Sequence, residues 1–180
     1  MASKRGLPKN SGRADAPRIA VVVSRYNSTV TDRLCRGAIE ATVRRTGRTP
    51  EVFEAPGAFE LPVVCDAAAM TGRFAGVVAL GCLIRGETIH DRVIADSVAG
   101  AIQDSMLKTG VPIAFGVLTV DNPAQAAARA GGEHGNKGNE AVEALLDTIE
   151  ILAAVRDGRE TRIGRKLPDK VKVRARRRKG

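Results

Sequence analysis

The chain has two histidines, and one of them, His90, ends the stretch Arg85-Gly-Glu-Thr-Ile-His90 that follows an apolar run. A histidine at such a strand-to-helix junction suits proton transfer, because imidazole titrates near neutrality and can exchange protons with a loop-bound substrate. Taken alone, the position has an equally ordinary structural explanation. His134, between Glu133 and Gly135 in a glycine-rich turn, reads as a surface residue. Glu87 and Thr88 fall where the first N–H groups of a helix lack partners, so phosphate binding through the backbone and plain helix capping are both open. Arg129 lies between Ala-rich turns, where a guanidinium can grip phosphate with paired hydrogen bonds or simply face solvent. Tyr26 and Phe59 are two of the chain's five aromatics, counting four Phe and one Tyr, and both fall in loops. There they offer a stacking surface for a flat heterocycle, with core packing as the competing explanation. The stretch from Gly131 to Gly138 contains Lys137, but no Ser or Thr follows that lysine and a helix precedes it, which excludes a nucleotide-binding P-loop.

Hydrophobic periodicity supplies the scaffold. The β-branched run 19–23 predicts a central parallel strand, followed by the polar Ser24-Arg-Tyr-Asn27. A helix is expected from near Thr31-Asp32, with Thr31 as its cap, to Gly47. Residues 51–55 form a second strand broken by Pro56-Gly57, 59–70 an Ala-rich helix, and 75–81 a third strand buried on both faces. After Thr88 comes a helix with Ile94, Val98, Ala101, Ile102 and Met106 on one face, ended by Lys108-Thr-Gly110. Residues 112–118 make a fourth strand, and Asp121-Asn-Pro123 starts a short helix that stops at Gly131-Gly132. The last helix, 138–155, carries the stripe Val142, Leu145, Leu146, Ile149, Leu152 and Ala153. This alternation predicts an α/β three-layer sandwich: a mainly parallel four-stranded sheet with helices on both faces and flavodoxin-like winding. Ligands then sit at the strands' carboxyl ends, in the loops 24–30, 56–60, 82–90 and 119–122.

Length and charge narrow the function classes. At 180 residues and 43% hydrophobic content, one domain with a single core is expected at 18–155, between a flexible arm at 1–17 and a basic, disordered tail at 156–180. The formal charge of +9 suggests a nucleic-acid binder until it is mapped. Residues 156–180 hold twelve Lys/Arg and three Asp/Glu, whereas 19–155 hold 12 basic against 16 acidic residues. The domain itself is therefore mildly acidic, which argues against a nucleic-acid-reading fold. No apolar stretch approaches the roughly 20 residues of a membrane span, and Met1-Ala-Ser-Lys-Arg5 lacks the apolar core of a secretory signal. A cytoplasmic protein is expected. Cys35, Cys65 and Cys82 are far apart in apolar surroundings, as expected of reduced core cysteines, and no CxxC pair suggests zinc.

The order of the motifs is more specific than any one of them. Ser24-Arg-Tyr-Asn27, Pro56-Gly-Ala-Phe-Glu-Leu-Pro62, Gly81-Cys-Leu-Ile-Arg-Gly-Glu-Thr-Ile-His90, Phe115-Gly-Val-Leu-Thr119, and Arg129-Ala-Gly131 followed by Gly135-Asn-Lys-Gly138 together resemble the lumazine synthase family. The resemblance covers about residues 18–155. It implies a cofactor-free transferase of riboflavin biosynthesis that condenses 5-amino-6-(D-ribitylamino)uracil with 3,4-dihydroxy-2-butanone 4-phosphate. By the same resemblance Tyr26 stacks on the pyrimidine, where the family usually has Phe or Trp, and Ala58, Phe59 and Glu60 line the ribityl site. Cys82, Leu83 and Ile84 bound the ring, and Phe115 comes from an adjacent subunit. Glu87, Thr88 and Arg129, with Lys137 assisting, hold the phosphate, and His90 carries protons. One departure stands out: the family commonly has an aromatic and then an acid after the histidine, whereas Asp91-Arg92 follow His90. The acid has moved by one place, about 100° around the helix.

The resemblance further implies a homo-oligomer of pentamers with active sites at subunit interfaces, some members closing into sixty-subunit shells. The short 131–137 connection points to the shell. Two other readings remain open: a flavin-binding or storage protein on the same fold, and a shell whose basic tails recruit nucleic acid or acidic cargo.

Overall fold

The computed structural model describes residues 16–159. Most of the expected arm and most of the expected tail therefore lie outside the described residues. The elements run β1 (Ile19–Ser24), α1 (Ser28–Thr46), β2 (Glu51–Ala55), α2 (Leu61–Met70), β3 (Gly76–Ile84), α3 (His90–Thr109), β4 (Ile113–Val120), α4 (Pro123–Arg129), β5 (Ala130–Gly132), β6 (Gly135–Asn136) and α5 (Lys137–Arg156). The main sheet has the order β2-β1-β3-β4 and every pairing in it is parallel. The three-layer sandwich with flavodoxin-like winding is thus the observed architecture.

Alternation along the strands feeds two cores, one on each face of the sheet. Val21 and Leu80 pack with Leu34 of α1 and Val142 and Leu145 of α5. Val22 and Val77 pack with Leu61 and Cys65 of α2 and Ile102 of α3 on the other face. Each fully buried Leu, Ile or Val contributes about 1.5–3 kcal/mol relative to exposure. On the α1/α5 side, an ion-pair cluster at the surface joins Arg44 and Arg45 to Glu143 and Asp147. Partial burial opposes ionisation of Glu143, but the hydrogen bonds from Arg44 and Arg45 prevail and hold its carboxyl below the usual carboxylate range.

Several element boundaries differ from the sequence-based expectation. Helix α1 begins at Ser28, and Thr31 is not its cap. Asn27 adopts a left-handed φ of 58°, and its carbonyl accepts the N–H groups of Val30 and Thr31 at 2.8 and 3.0 Å. Helix α2 begins at Leu61, with Pro in its first turn, so Phe59 and Glu60 stay in the loop. β3 and β4 run on together to Ile84 and Val120, paired through Cys82↔Leu118, Leu83↔Thr119 and Ile84↔Val120. On α3, Ala101 is exposed and the buried face consists of Asp91, Val98, Ile102 and Ser105. On α5, Ala154 is buried in place of Ala153. The connection expected to be plain turn contains the β5–β6 hairpin, which Gly131 and Gly135 permit with φ of 95° and 74°.

Burial also sets the cysteine chemistry. The thiol of Cys65 is pushed up to about 12 and that of Cys82 to about 11, in both cases chiefly by desolvation. An unfolded thiol ionises first as pH rises, so the unfolded state binds fewer protons above pH about 9 and stability falls from there toward pH 12. We expect Tm to drop progressively through that window, and to drop less steeply in Cys65→Ala; parallel slopes in a pH series of thermal melts would contradict the assignment.

Candidate active site

The carboxyl edge of the sheet carries a cleft of about 500 Å³. Three hydrogen bonds fix its walls. Arg25 N–H donates to Ala55 O at 2.9 Å, the Asn27 side-chain amide donates to Cys82 O at 2.8 Å, and Arg85 N–H donates to Val120 O at 2.8 Å. Each link ties the loop after one strand to the end of its neighbour, so the loops move with the rigid sheet rather than independently.

Of the residues singled out from sequence, Tyr26, Ala58, Phe59, Glu60, Cys82, Leu83, Ile84, Thr88 and His90 all line this one cleft. Tyr26 is 72% and Phe59 62% exposed, which disposes of core packing as the reason for either. The aromatic pair that does serve the core is Phe74 with Phe53, meeting edge-on at 6.1 Å between centroids. Gly57 explains how Tyr26 and Glu60 approach each other: a Cβ there would lie 2.9 Å from Glu60 Oε2 and 3.3 Å from the Tyr26 ring. A flat apolar surface thus stands beside a carboxylate acceptor, the combination that an aromatic ring with a hydroxylated substituent requires.

Across the cleft, α3 points its amino terminus at the same space. Thr88 Oγ1 accepts the His90 N–H at 3.4 Å, while the N-cap residue, Ile89, makes no side-chain cap. The remaining N–H groups and the helix dipole favour an anion at this end. His90 opens α3 with an exposed side chain, and Asp91, 9% exposed, lines the cleft beside it. The displaced acid of the sequence is therefore at the site, though on a different side of the helix.

Four sequence-derived residues do not line the cleft of their own chain: Glu87, Phe115, Arg129 and Lys137. Phe115 projects from edge strand β4 and is 44% exposed. Arg129 donates to Gln125 O at 3.2 Å within α4, and Lys137 pairs with Glu140 at the start of α5. His134 is exposed beside Glu133. Sequence reasoning missed Asn27, Gly57, Gly86, Asp91 and Ile94 as lining residues. It also missed Ser24, at the last position of β1 on the face of Val22. Its hydroxyl is the one buried side-chain oxygen without a hydrogen-bond partner among the described residues. Asn27 was detectable from its sequence neighbourhood only as a loop residue; its positive φ and its bond to β3 are products of the tertiary fold. Among the described residues no group of His, Cys, Asp and Glu could hold a metal ion, and no helix is long and apolar enough to cross a membrane.

Fold and cleft together define an α/β sandwich of flavodoxin-like winding whose small-molecule site lies at the carboxyl edge of a parallel sheet. Residues 16–153 match the sequence profile of 6,7-dimethyl-8-ribityllumazine synthase, and the chain belongs to that family. It is 46% identical over 147 residues to the 6,7-dimethyl-8-ribityllumazine synthase of Chlorobium phaeovibrioides, covering 80% of this chain and 94% of the relative. The 6,7-dimethyl-8-ribityllumazine synthase 1 of Caulobacter vibrioides is 43% identical over 143 residues, 78% of this chain and 94% of its own length. The Thermus thermophilus enzyme of the same name is 44% identical over 144 residues, 79% of this chain and 92% of its own.

Proposed function

We propose that the chain is a transferase that condenses 5-amino-6-(D-ribitylamino)uracil with 3,4-dihydroxy-2-butanone 4-phosphate to 6,7-dimethyl-8-ribityllumazine, releasing phosphate and water. The observation that carries this reading is the convergence of Tyr26, Phe59, Glu60, Thr88 and His90 on one cleft. Tyr26 stacks on the pyrimidine, Ala58, Phe59 and Glu60 take the ribityl chain, and Cys82, Leu83 and Ile84 bound the ring. Thr88 and the α3 amino terminus receive the phosphate, with Glu87 contributing through its backbone.

The chemistry follows from that arrangement. The pyrimidine's exposed amine attacks the ketone, and loss of water leaves an imine. Phosphate is then eliminated, and the second amine attacks the remaining carbonyl and closes the ring with loss of a second water. Holding both reactants side by side supplies most of the acceleration, several kcal/mol and on the order of 7–11 in ideal cases. His90 moves the protons that these additions and eliminations require.

Phe115, Arg129 and Lys137 complete the site from a neighbouring copy of the chain, which accounts for a half-exposed Phe on an edge strand and for cations outside their own chain's cleft. The assembly is a pentamer, and the short 131–137 connection favours pentamers closed into a sixty-subunit shell; native mass measurement distinguishes pentamer, decamer and shell. The biosynthetic domain is placed at 18–155, in a soluble, cytoplasmic protein. For Arg129→Ala we expect a rise of roughly 10- to 100-fold in KM for the butanone phosphate, from loss of a charge-assisted contact, and little change in KM for the pyrimidine. An unchanged KM for the phosphate substrate removes Arg129 from the site. The reading as a whole is tested by mixing the purified protein with both substrates and following lumazine fluorescence: a protein-dependent rise supports it, and the uncatalysed rate alone would refute it.

A further inference from the structure

We infer that Asp91 is a second acceptor for a polyol chain: together with Glu60 it binds the ribityl hydroxyls of the pyrimidine substrate and sets the cleft's preference for that substituent. The inference rests on the proposed function, in which residues 58–60 take the ribityl chain. Neighbouring residues on a helix point about 100° apart, so the carboxylate that follows His90 does not face its imidazole. Asp91 falls instead in line with Val98, Ile102 and Ser105 on the buried face of α3.

That face is turned toward α2. Val98 and Ile102 pack in one core cluster with Ala58, Leu61 and Cys65, and the Ser105 hydroxyl donates to Asp66 Oδ1 at 2.7 Å. Helices α2 and α3 each follow a strand of the parallel sheet, so both begin at its carboxyl edge. The first turn of α3 therefore stands beside the 58–60 turn that leads into α2, and Asp91 is directed at the wall that carries Glu60. Both residues line the cleft.

A carboxylate so placed needs a donor. Asp91 is 9% exposed, yet among the described residues no hydrogen bond or ion pair reaches its side chain. The dipole of α3 favours a charge in its first turn but is no substitute for a donor in contact. Ser24 holds the one unpartnered side-chain oxygen that is sealed from solvent among the described residues, so the Asp91 oxygens keep access to the cleft. The charges then select the ligand group. Glu60 and Asp91 are the acids that line the cleft, and no Lys or Arg of the same chain lines it. Phosphate offers only acceptors of the same sign and is repelled from this wall. The hydroxyls of a polyol are neutral donors, and two carboxylates on one wall can each accept from different hydroxyls in charge-assisted bonds.

Calorimetric binding of two unreactive pyrimidines to the full chain tests this. One carries the ribityl chain and a nitro group in place of the attacking amine; the other is the same compound with a methyl group in place of the ribityl chain. Asp91→Asn, which keeps the shape of the side chain, should weaken the ribityl compound about 10- to 100-fold and leave the methyl compound little changed. Asp91→Ala should show the same selectivity, with thermal melts confirming that both variants fold. In turnover, KM for the pyrimidine should rise by a like factor, while kcat and KM for the butanone phosphate should change little. Equal weakening of both compounds would overturn the proposal by making the role of Asp91 structural or directed at the ring. A loss confined to kcat would overturn it by making Asp91 a proton carrier. The two failures separate: a wild type that forms no lumazine refutes the proposed function, whereas a wild type that forms it, with Asp91→Asn binding the ribityl compound unchanged, overturns this inference alone.

Discussion

His90→Ala should lower kcat by about 10²- to 10⁴-fold while leaving KM for both substrates within a small factor and a measurable residual rate. His90 begins α3 with an exposed side chain in the cleft, where it can reach bound substrate without being required to hold it. Removing it deletes the proton carrier and leaves the stacking wall, the ribityl wall and the α3 amino terminus in place. Orientation of the reactants therefore persists and sustains the residual rate. Steady-state kinetics on both substrates check this. A rise in KM with unchanged kcat would instead make His90 a binding residue, and complete loss of activity would mean that proton transfer outweighs orientation.

Gly138→Ala should be the most damaging small substitution for the fold. A Cβ at this position would lie 2.0 Å from Leu34 O and 2.7 Å from Leu34 C, both backbone atoms of α1. Backbone cannot swing aside as a side-chain tip can, so α1 and α5 must separate. The same crossing holds Asn136, whose side chain accepts the Gly138 and Asn139 N–H groups at 2.9 and 3.2 Å and donates to Arg33 O at 2.9 Å. Overpacking of this kind costs about 3 kcal/mol, a fall in Tm of roughly 6–12 °C for a chain of this size. Thermal melts of the variant and wild type measure it. A shift of less than a degree would show that the two helices have slack that the close contact denies.

These two residues illustrate what the amino-acid sequence does and does not disclose. The layer architecture was legible because the central strands are continuous runs of apolar and small residues buried on both faces and the long helices carry separate apolar stripes. The cleft was legible because Tyr26, the 58–60 turn, the end of β3 and His90 belong to loops that a parallel sheet brings to one edge. The start of α1 was not, since it depends on Asn27 adopting a left-handed conformation held by a bond to β3. The β5–β6 hairpin was not, because a Gly-rich stretch without apolar period carries no strand signal; its conformation is set by packing against α1 through Asn136. Asp91 stands in the sequence as the family's acid displaced by one place, and only the structure shows that the turn of α3 carries it inward. Phe115, Arg129 and Lys137, which the family resemblance assigns to the site, do not line the cleft of a single chain.

The central claim is that one cleft holds the pyrimidine and the sugar-derived phosphate side by side. It is tested most directly by a crystal structure of the assembled protein with inorganic phosphate and an analogue of the ribityl substrate whose attacking amine is replaced by a nitro group. The account predicts the ring against Tyr26, the ribityl hydroxyls at Glu60, and phosphate at Thr88 within reach of His90 and of a neighbouring copy's Arg129. Ligands bound away from this edge, or a phosphate far from both His90 and every Arg129, would contradict it.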